Sequence, residues 1–380
     1  MKKKEVIIFS EYYLPKLGGV ERYTDKLVDK LKEKYNITIV TTKINNTKDY
    51  EKKDNIKIFR VPVFNIFKNR YALIKNNKKL KEIIKEIDKT KYNFLLCQTR
   101  FFPISYFGVK YAKKKNIPVM VIEHGSSHFT VNNKLLDFFG HIYEHLLTKV
   151  VKKNCSLFYG VSNRCVSWLK HFKIEAKGVL YNSIDQSDYE KYKNEYFFKK
   201  NSTDINICYA GRLIKEKGLY ELCDAFNKLS KEYKNIKLQI AGDGPILEDL
   251  KVKYSQNEKI VFLGKLNFDN VMKLYNSCDI FVYPSMYAEG LPTSILEAGL
   301  MKCAVIATDR GGTVEVITHK KDGLICEENT ESIYNNIKFL LDNSNLIQDY
   351  SEKLHSRIIE NFTWNVTAKE LSKIIEKESR

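Results

Sequence analysis

The amino-acid sequence predicts an α/β protein built from two Rossmann-like, doubly wound domains. Three observations carry that reading. Short apolar, β-branched runs alternate with amphipathic helical stretches, the signature of parallel sheets made from strand–helix units. The plan starts afresh near residue 205. The length of 380 residues exceeds what one hydrophobic core usually holds. A hydrophobic share of 43% with 29% charged residues excludes a disordered chain.

Taken in order, the first half opens with the strand Val6–Phe9, then a loop with Pro15 and the pair Gly18-Gly19. Val20, Tyr23, Leu27 and Leu31, spaced by three and four, predict a helix, and the strand Ile37–Val40 follows. Later strands are expected at Phe94–Cys97, Val119–Ile122, Leu157–Val161 and Val179–Leu180. The second half restarts with strand Ile205–Tyr209, a helix from about Lys217 to Tyr233 and strand Lys237–Ile240. Strands near Ile260–Leu263, Ile280–Tyr283 and Val305–Ala307 complete it. The stretch Asp185–Asp204 is charged and aromatic without strand alternation, and it is read as the linker. The expected domains are 1–190, 191–363, and a final helix, 364–380, packing back on the first domain. Open α/β sheets bind ligands beyond the carboxyl ends of their strands, so a cleft with the two domains facing across it is the expected site.

Charge divides the chain. Residues 1–190 hold 37 Lys and Arg against 19 Asp and Glu, whereas residues 191–380 hold 27 of each, so the whole net charge of +18 lies in the first half. Such a surface attracts nucleic acid, anionic lipid or a phosphorylated substrate; a solvated lysine-rich face is the plainer reading. The segment Lys134–Lys153 adds Leu135, Leu136, Phe138, Phe139, Ile142, Leu146 and Leu147 beside Lys149, Lys152 and Lys153. Its pattern suits either a helix lying on a membrane or an ordinary core helix. No uncharged apolar run approaches the ~20 residues of a membrane span, and the opening apolar run is too short for a signal peptide. A cytoplasmic location is expected, with peripheral contact at the inner membrane face as the alternative that the basic half raises. The eight cysteines are scattered with no C-x-x-C pair, which points to buried thiols rather than zinc or redox chemistry.

One segment carries the chemistry: Ser285-Met-Tyr-Ala-Glu-Gly-Leu-Pro-Thr-Ser-Ile-Leu-Glu-Ala298. It follows the strand Ile280–Tyr283 and opens a helix at about Thr293. Glu289 precedes that helix and Glu297 falls in its second turn. The backbone amides around Leu291, Thr293 and Ser294 sit at the helix start, where the dipole favours an anion. A carboxylate accepts two hydroxyls at once, as a sugar or ribose diol offers. Arg212 and Lys217 lie five residues apart after a strand and suit a diphosphate, the first as a planar fork and the second as a point charge. Gly18 and Gly19 sit between strand and helix, where a plain turn and close backbone approach to an anion are both open readings. His124 closes the strand Val119–Ile122, and an isolated histidine is more often a satisfied structural group.

The chain resembles the retaining GT-B glycosyltransferases of family 4. The pattern E-x7-E with Glu289-Gly290-Leu291-Pro292 is that family's most specific signature. Further motifs occur in the family's order: Pro15–Arg22, Glu123-His124-Gly125, Val179–Asp185, Ala210–Gly218, Ala241–Pro245 and Gly311–Glu315. The resemblance implies Arg212, Lys217 and Glu289 as catalytic residues, the first two neutralising the leaving diphosphate and Glu289 contacting sugar hydroxyls. It implies donor contacts from Gly18, Gly19, His124, Gly290, Leu291, Pro292 and Thr293, with Glu297 on the ribose. The turn Gly242–Pro245 is read as turn geometry that a nucleotide base can pack against, and Glu315 as a helix cap or a ligand contact.

No Asp-x-Asp loop follows a strand, so no metal and no cofactor are expected. The donor is read as a nucleoside-diphosphate sugar, a UDP-sugar, and the acceptor as a saccharide or lipid-linked saccharide in cell-surface polysaccharide assembly. The alternatives are a GT-B sugar-nucleotide epimerase, which needs no acceptor, and a basic nucleic-acid-binding protein. The second would explain the charge and none of the motifs, and nucleic acid is not expected as a partner.

Overall fold

A computed structural model of the chain describes residues 3–379, apart from 17, 45, 67–70, 131, 132, 202, 288 and 289. It divides into two compact units, one of residues 1–182 with 364–380 and one of residues 183–363.

The first unit runs β1 (Lys4–Ser10), α1 (Gly19–Leu31), β2 (Tyr35–Thr42), β3 (Tyr50–Lys53), β4 (Ile56–Val61), β5 (Val63–Ile66), β6 (Tyr71–Ile74) and α2 (Lys78–Ile87). It continues with β7 (Phe94–Gln98), α3 (Pro103–Lys115), β8 (Val119–Glu123), α4 (Lys134–Asn154), β9 (Leu157–Gly160), α5 (Asn163–His171) and β10 (Gly178–Val179). Eight strands form one sheet in the order β10-β9-β8-β7-β1-β2-β4-β3, parallel except for β3, which runs antiparallel to β4; β5 and β6 form a separate hairpin. The sheet is buried on both faces, as alternation within β1 shows. Ile7 and Phe9 join a core with Leu80 and Ile83 of α2 and Val109 of α3, while Val6 and Ile8 join Leu27 and Leu31 of α1 on the other side.

The second unit runs α6 (Ser187–Tyr192), β11 (Ile205–Ala210), a 3-10 turn (Lys215–Lys217), α7 (Leu219–Glu232), β12 (Ile236–Ala241), α8 (Leu247–Lys253), β13 (Ile260–Gly264) and α9 (Phe268–Ser277). Then come β14 (Ile280–Tyr283), α10 (Thr293–Leu300), β15 (Ala304–Thr308), α11 (Thr313–Val316), β16 (Leu324–Cys326), α12 (Thr330–Asp342) and α13 (Asn345–Asn361). Its six strands are all parallel, in the order β13-β12-β11-β14-β15-β16. The last helix, α14 (Trp364–Glu378), belongs to the first unit, where Trp364, Leu371 and Ile375 pack against α1 and the sheet.

The chain passes between units at 182/183, earlier than the boundary at 190/191 read from sequence. The reason is local. Asn276 on α9 donates to the carbonyls of Tyr192, Lys193 and Glu195, so α6 and the residues after it are tied to the second unit. All eight cysteines are buried and none forms a disulfide. Among the described residues no helix is long and apolar enough to cross a membrane.

In both sheets the strand order reverses beside the first strand, at β1/β7 and at β11/β14. The loops leaving those strands therefore diverge and open a crevice at the carboxyl edge.

Candidate active site

In the second unit the crevice is built by the loops after β11, β12, β14 and β15. Gly218 and Gly242 let these loops approach. Gly218 has φ +69°, and a Cβ there would lie 2.1 Å from the Pro284 carbonyl oxygen; at Gly242, with φ +149°, it would lie 1.9 Å from the Gly211 carbonyl oxygen. Only glycine fits either place. Backbone hydrogen bonds then join the loops: Met286 N–H to the Glu216 carbonyl at 2.8 Å, and Gly312 N–H to the Gly290 carbonyl at 2.6 Å.

Lys217 ends the 3-10 turn, half-buried, and its Nζ donates to the Tyr283 hydroxyl at 2.8 Å. The ammonium also lies 5.0 Å from the Tyr283 ring centroid and 5.6 Å from that of Tyr287. Arg212 is exposed and forms no ion pair among the described residues. Its carbonyl accepts from the Tyr209 hydroxyl at 3.1 Å. Beside it is a cavity of about 340 Å³ between the ends of β11, β12 and β13, lined by Gly211, Gly242, Asp243, Lys265 and Leu266 among others. Larger cavities of about 680 and 650 Å³ lie elsewhere; the first contains none of the motif residues and the second only Pro15.

Helix α10 begins at Thr293 with Pro292 as its N-cap, and no side chain caps it. Its first-turn amides have no partner within the helix and present the positive end of the dipole. Leu291 and Pro292 are buried and hold this start in place. Glu297 is half-buried in the second turn. Its charge reaches Tyr275, whose phenol is pushed up first by burial and then by Glu297. Glu289 lies outside the described residues. Glu315 is in the short helix α11, where its carbonyl accepts from Arg357 at 3.0 Å.

In the first unit Gly18 is the extended N-cap of α1, without a side-chain cap. A Cβ at Gly18 would meet only the Glu21 carboxylate, and one at Gly19 would meet nothing within 4 Å. The fold itself therefore does not demand glycine at 19. His124 follows β8, and its Nε2 pairs with Gln98 Oε1 at 2.7 Å while its ring meets Tyr23 of α1 edge-on at 4.8 Å. Burial lowers its pKa from 6.5 to about 3, so the ring is neutral.

Beneath His124 is a buried ionic cluster that the sequence reading missed. Glu123, fully buried, accepts from the amides of His124 and Gly125 at 3.2 and 3.0 Å and from Arg100 Nη1 at 2.6 Å. Arg100 also donates to Glu144, and its guanidinium lies 3.9 Å from the Phe172 ring centroid. Two acids meeting one arginine from 23 and 44 residues away leave no local pattern to read. The structure thus groups Arg212, Lys217, Gly290 to Thr293 and Glu297 at one sheet edge, and Gly18, Gly19 and His124 at the start of α1 in the other unit. Tyr283 and Lys265 join the first group without a motif to announce them, and Tyr287 joins it from within the segment Ser285–Ala298.

Two Rossmann-like domains with parallel sheets, one carrying basic side chains and a helix start at its switch point, define a glycosyltransferase of the GT-B fold. Residues 191–361 match the family described as glycosyl transferases group 1, and residues 17–188 match glycosyltransferase family 4. The chain belongs to this family. An uncharacterized glycosyltransferase of Methanocaldococcus jannaschii, MJ1069, is 29% identical over 99% of both chains. The UDP-Gal:alpha-D-GlcNAc-diphosphoundecaprenol alpha-1,3-galactosyltransferase of Escherichia coli is 22% identical over 92% of this chain and 91% of its own. HepE of Anabaena, solved in complex with UDP, superposes with a TM-score of 0.74 at 14% identity, covering 98% of this chain and all of that one.

Proposed function

We propose that this glycosyltransferase moves a sugar from a UDP-sugar to a lipid-linked saccharide in cell-surface polysaccharide assembly, with retention of anomeric configuration and without a divalent metal. The observation that carries the reading is Lys217, fixed by Tyr283 beside the uncapped start of α10, with Arg212 next to it. Charge grows on the diphosphate as the sugar leaves, and fixed donors aimed at that charge lower the barrier. The bond from the anomeric carbon to the β-phosphate oxygen breaks, and the acceptor oxygen bonds that carbon on the same face. The acceptor proton passes to the departing phosphate oxygen, so no protein base is required. The cavity beside Arg212 would take the nucleotide base, Glu297 the ribose hydroxyls and Glu289 the sugar.

A lipid-linked acceptor agrees with the substrate named for the E. coli relative and with the surface of the first unit. Helix α4 leaves Leu135, Phe138, Phe139 and Leu146 between 58% and 66% exposed, next to Lys149, Lys152 and Lys153. That exposure argues against the core-helix reading. An apolar face flanked by lysines suits an anionic membrane surface. Flotation with anionic and neutral vesicles tests this: binding to the first, lost in high salt, is expected, and equal binding to both would remove the electrostatic part.

A thermal-shift screen of sugar nucleotides tests the donor, since a ligand bound to the folded state raises its stability with affinity. A UDP-sugar should give the largest rise, and transfer with that donor should survive EDTA and yield the same anomer by NMR. An inverted product, or transfer abolished by EDTA and restored by Mg²⁺, would overturn the mechanism.

A further inference from the structure

Four of the seven histidines of the chain gather in one place in the first unit. His141 and His145 are one turn apart on α4, His171 ends α5, and His128 comes from the loop after β8. None belongs to the transfer chemistry above. One ring nitrogen each from His128, His145 and His171 lies within 4.8 Å of the other two. We propose that His128, His145 and His171 form a binding site for a divalent transition metal of the zinc type, which braces α4 against α5 and the loop after β8.

Three features separate this cluster from ordinary ring packing. First, His145 Nε2 and His171 Nε2 face each other at 3.3 Å. Two ligands at ~2.0–2.1 Å in a tetrahedron are separated by about 3.3 Å, so this pair already has the spacing of one edge of a zinc site. Second, His128 Nδ1 pairs with Glu144 Oε2 at 2.8 Å. Glu144 is itself 2% exposed and is held by Arg100, so its orientation is fixed. A histidine that donates Nδ1–H to a buried carboxylate keeps Nε2 as an oriented lone pair, the outer-sphere arrangement that metal-bound imidazoles use. Third, the rings are held. Trp168 stacks on His171 at 4.7 Å and 6°, His141 stacks on His128 at 4.1 Å, and Trp168 meets His128 edge-on. His145 and His171 are exposed, so an ion can reach the site from solvent and water can take the fourth position. Three neutral imidazoles and one water suit Zn²⁺, Ni²⁺ or Cu²⁺ and discriminate against Mg²⁺ and Ca²⁺, which take oxygen ligands.

The consequence is mechanical. Helix α4 presents the exposed apolar face, and its buried side includes only Glu144, Thr148 and Val151. A metal bound to three separate segments would fasten this thinly anchored helix.

The test uses full-length protein without a histidine tag, stripped with EDTA and desalted. Titration with Zn²⁺ against a chromophoric chelator should show one equivalent bound, and Co²⁺ should give the visible bands of a four-coordinate site while quenching Trp168. His145→Ala and His171→Ala change exposed side chains and should fold. Each should lose affinity at least about tenfold, and Glu144→Gln should weaken binding by about tenfold while retaining the stoichiometry. Zinc should raise the Tm of the wild type and leave both alanine variants unmoved. Less than about a tenth of an equivalent bound by the wild type, or equal binding by the alanine variants, would overturn the site. A zinc-loaded wild type melting no higher than the stripped protein would remove the bracing. None of these readouts requires sugar transfer, so they stand apart from the donor assays.

Discussion

Glu11 follows β1 directly and is 3% exposed. The Ala72 amide of the β5–β6 hairpin donates to its Oε1 at 2.9 Å. Burial raises its pKa from 4.5 to about 8, against the opposing pull of the Ala72 amide and of Lys16. The carboxyl is therefore neutral at pH 7 in the folded chain and ionised in the unfolded one. With the folded pKa raised, the stability this group contributes is complete below about pH 4.5 and is lost as pH rises through about 8. A tenfold change in an ionisation constant is worth about 1.4 kcal/mol, so raising the pKa from 4.5 to about 8 amounts to about 5 kcal/mol, of which about 4 falls between about pH 5 and pH 9. Glu11→Gln keeps the acceptor for Ala72 and removes the titration. Both tryptophans, Trp168 and Trp364, lie in the first unit, so urea unfolding followed by tryptophan fluorescence reports that unit alone. The variant should gain on the wild type steadily from about pH 5 to pH 9, by about 4 kcal/mol in total. Profiles parallel to within about 0.5 kcal/mol would show that the carboxyl ionises without cost, and the burial argument would fail.

Arg100→Met should destabilise the first unit by about 3–5 kcal/mol in the same assay, because it leaves Glu123 and Glu144 buried without their cation; replacing Glu123 and Glu144 together with Gln in that variant should recover part of the loss. Gly218→Ala should cost the second unit about 2–4 kcal/mol, since a methyl group would meet the Pro284 carbonyl at 2.1 Å in a left-handed backbone, and a melt followed by circular dichroism measures it. Lys217→Met should lower kcat by at least about a hundredfold with an unchanged melting profile, and near-wild-type turnover would remove the lysine from the site. Arg212→Lys should lower kcat/KM by about tenfold or more, because an ammonium cannot reproduce the guanidinium fork.

Much of this fold is legible in the chain's own residues, and where reading fails the cause is physical. The eleven expected strands all appear, because a parallel strand covered on both faces must be apolar along its whole length, and Phe94–Cys97 or Ile280–Tyr283 has few other uses. Two of the strands that went unread lie where that rule lapses. Tyr50–Lys53 is charged and largely exposed because it pairs only with β4 at the sheet edge, and Leu324–Cys326 spans just three residues at the opposite end of the second sheet. The site divides in the same way. Arg212, Lys217 and Glu297 could be read as candidates because they fall in the motifs that follow β11 and β14 and carry the family resemblance. Tyr283 is the last residue of an apolar strand, and nothing in Ile280-Phe-Val-Tyr283 announces that its hydroxyl will receive Lys217. His128, His145 and His171, scattered over three segments, become neighbours only when the parallel order of β8 and β9 sets α4 beside α5. Local sequence reports what a residue can do, whereas the pairing of distant strands decides which partner it does it with. The unannounced partners Tyr283, Glu144 and His171 are therefore the residues at which substitution tests the three-dimensional argument and not the motif.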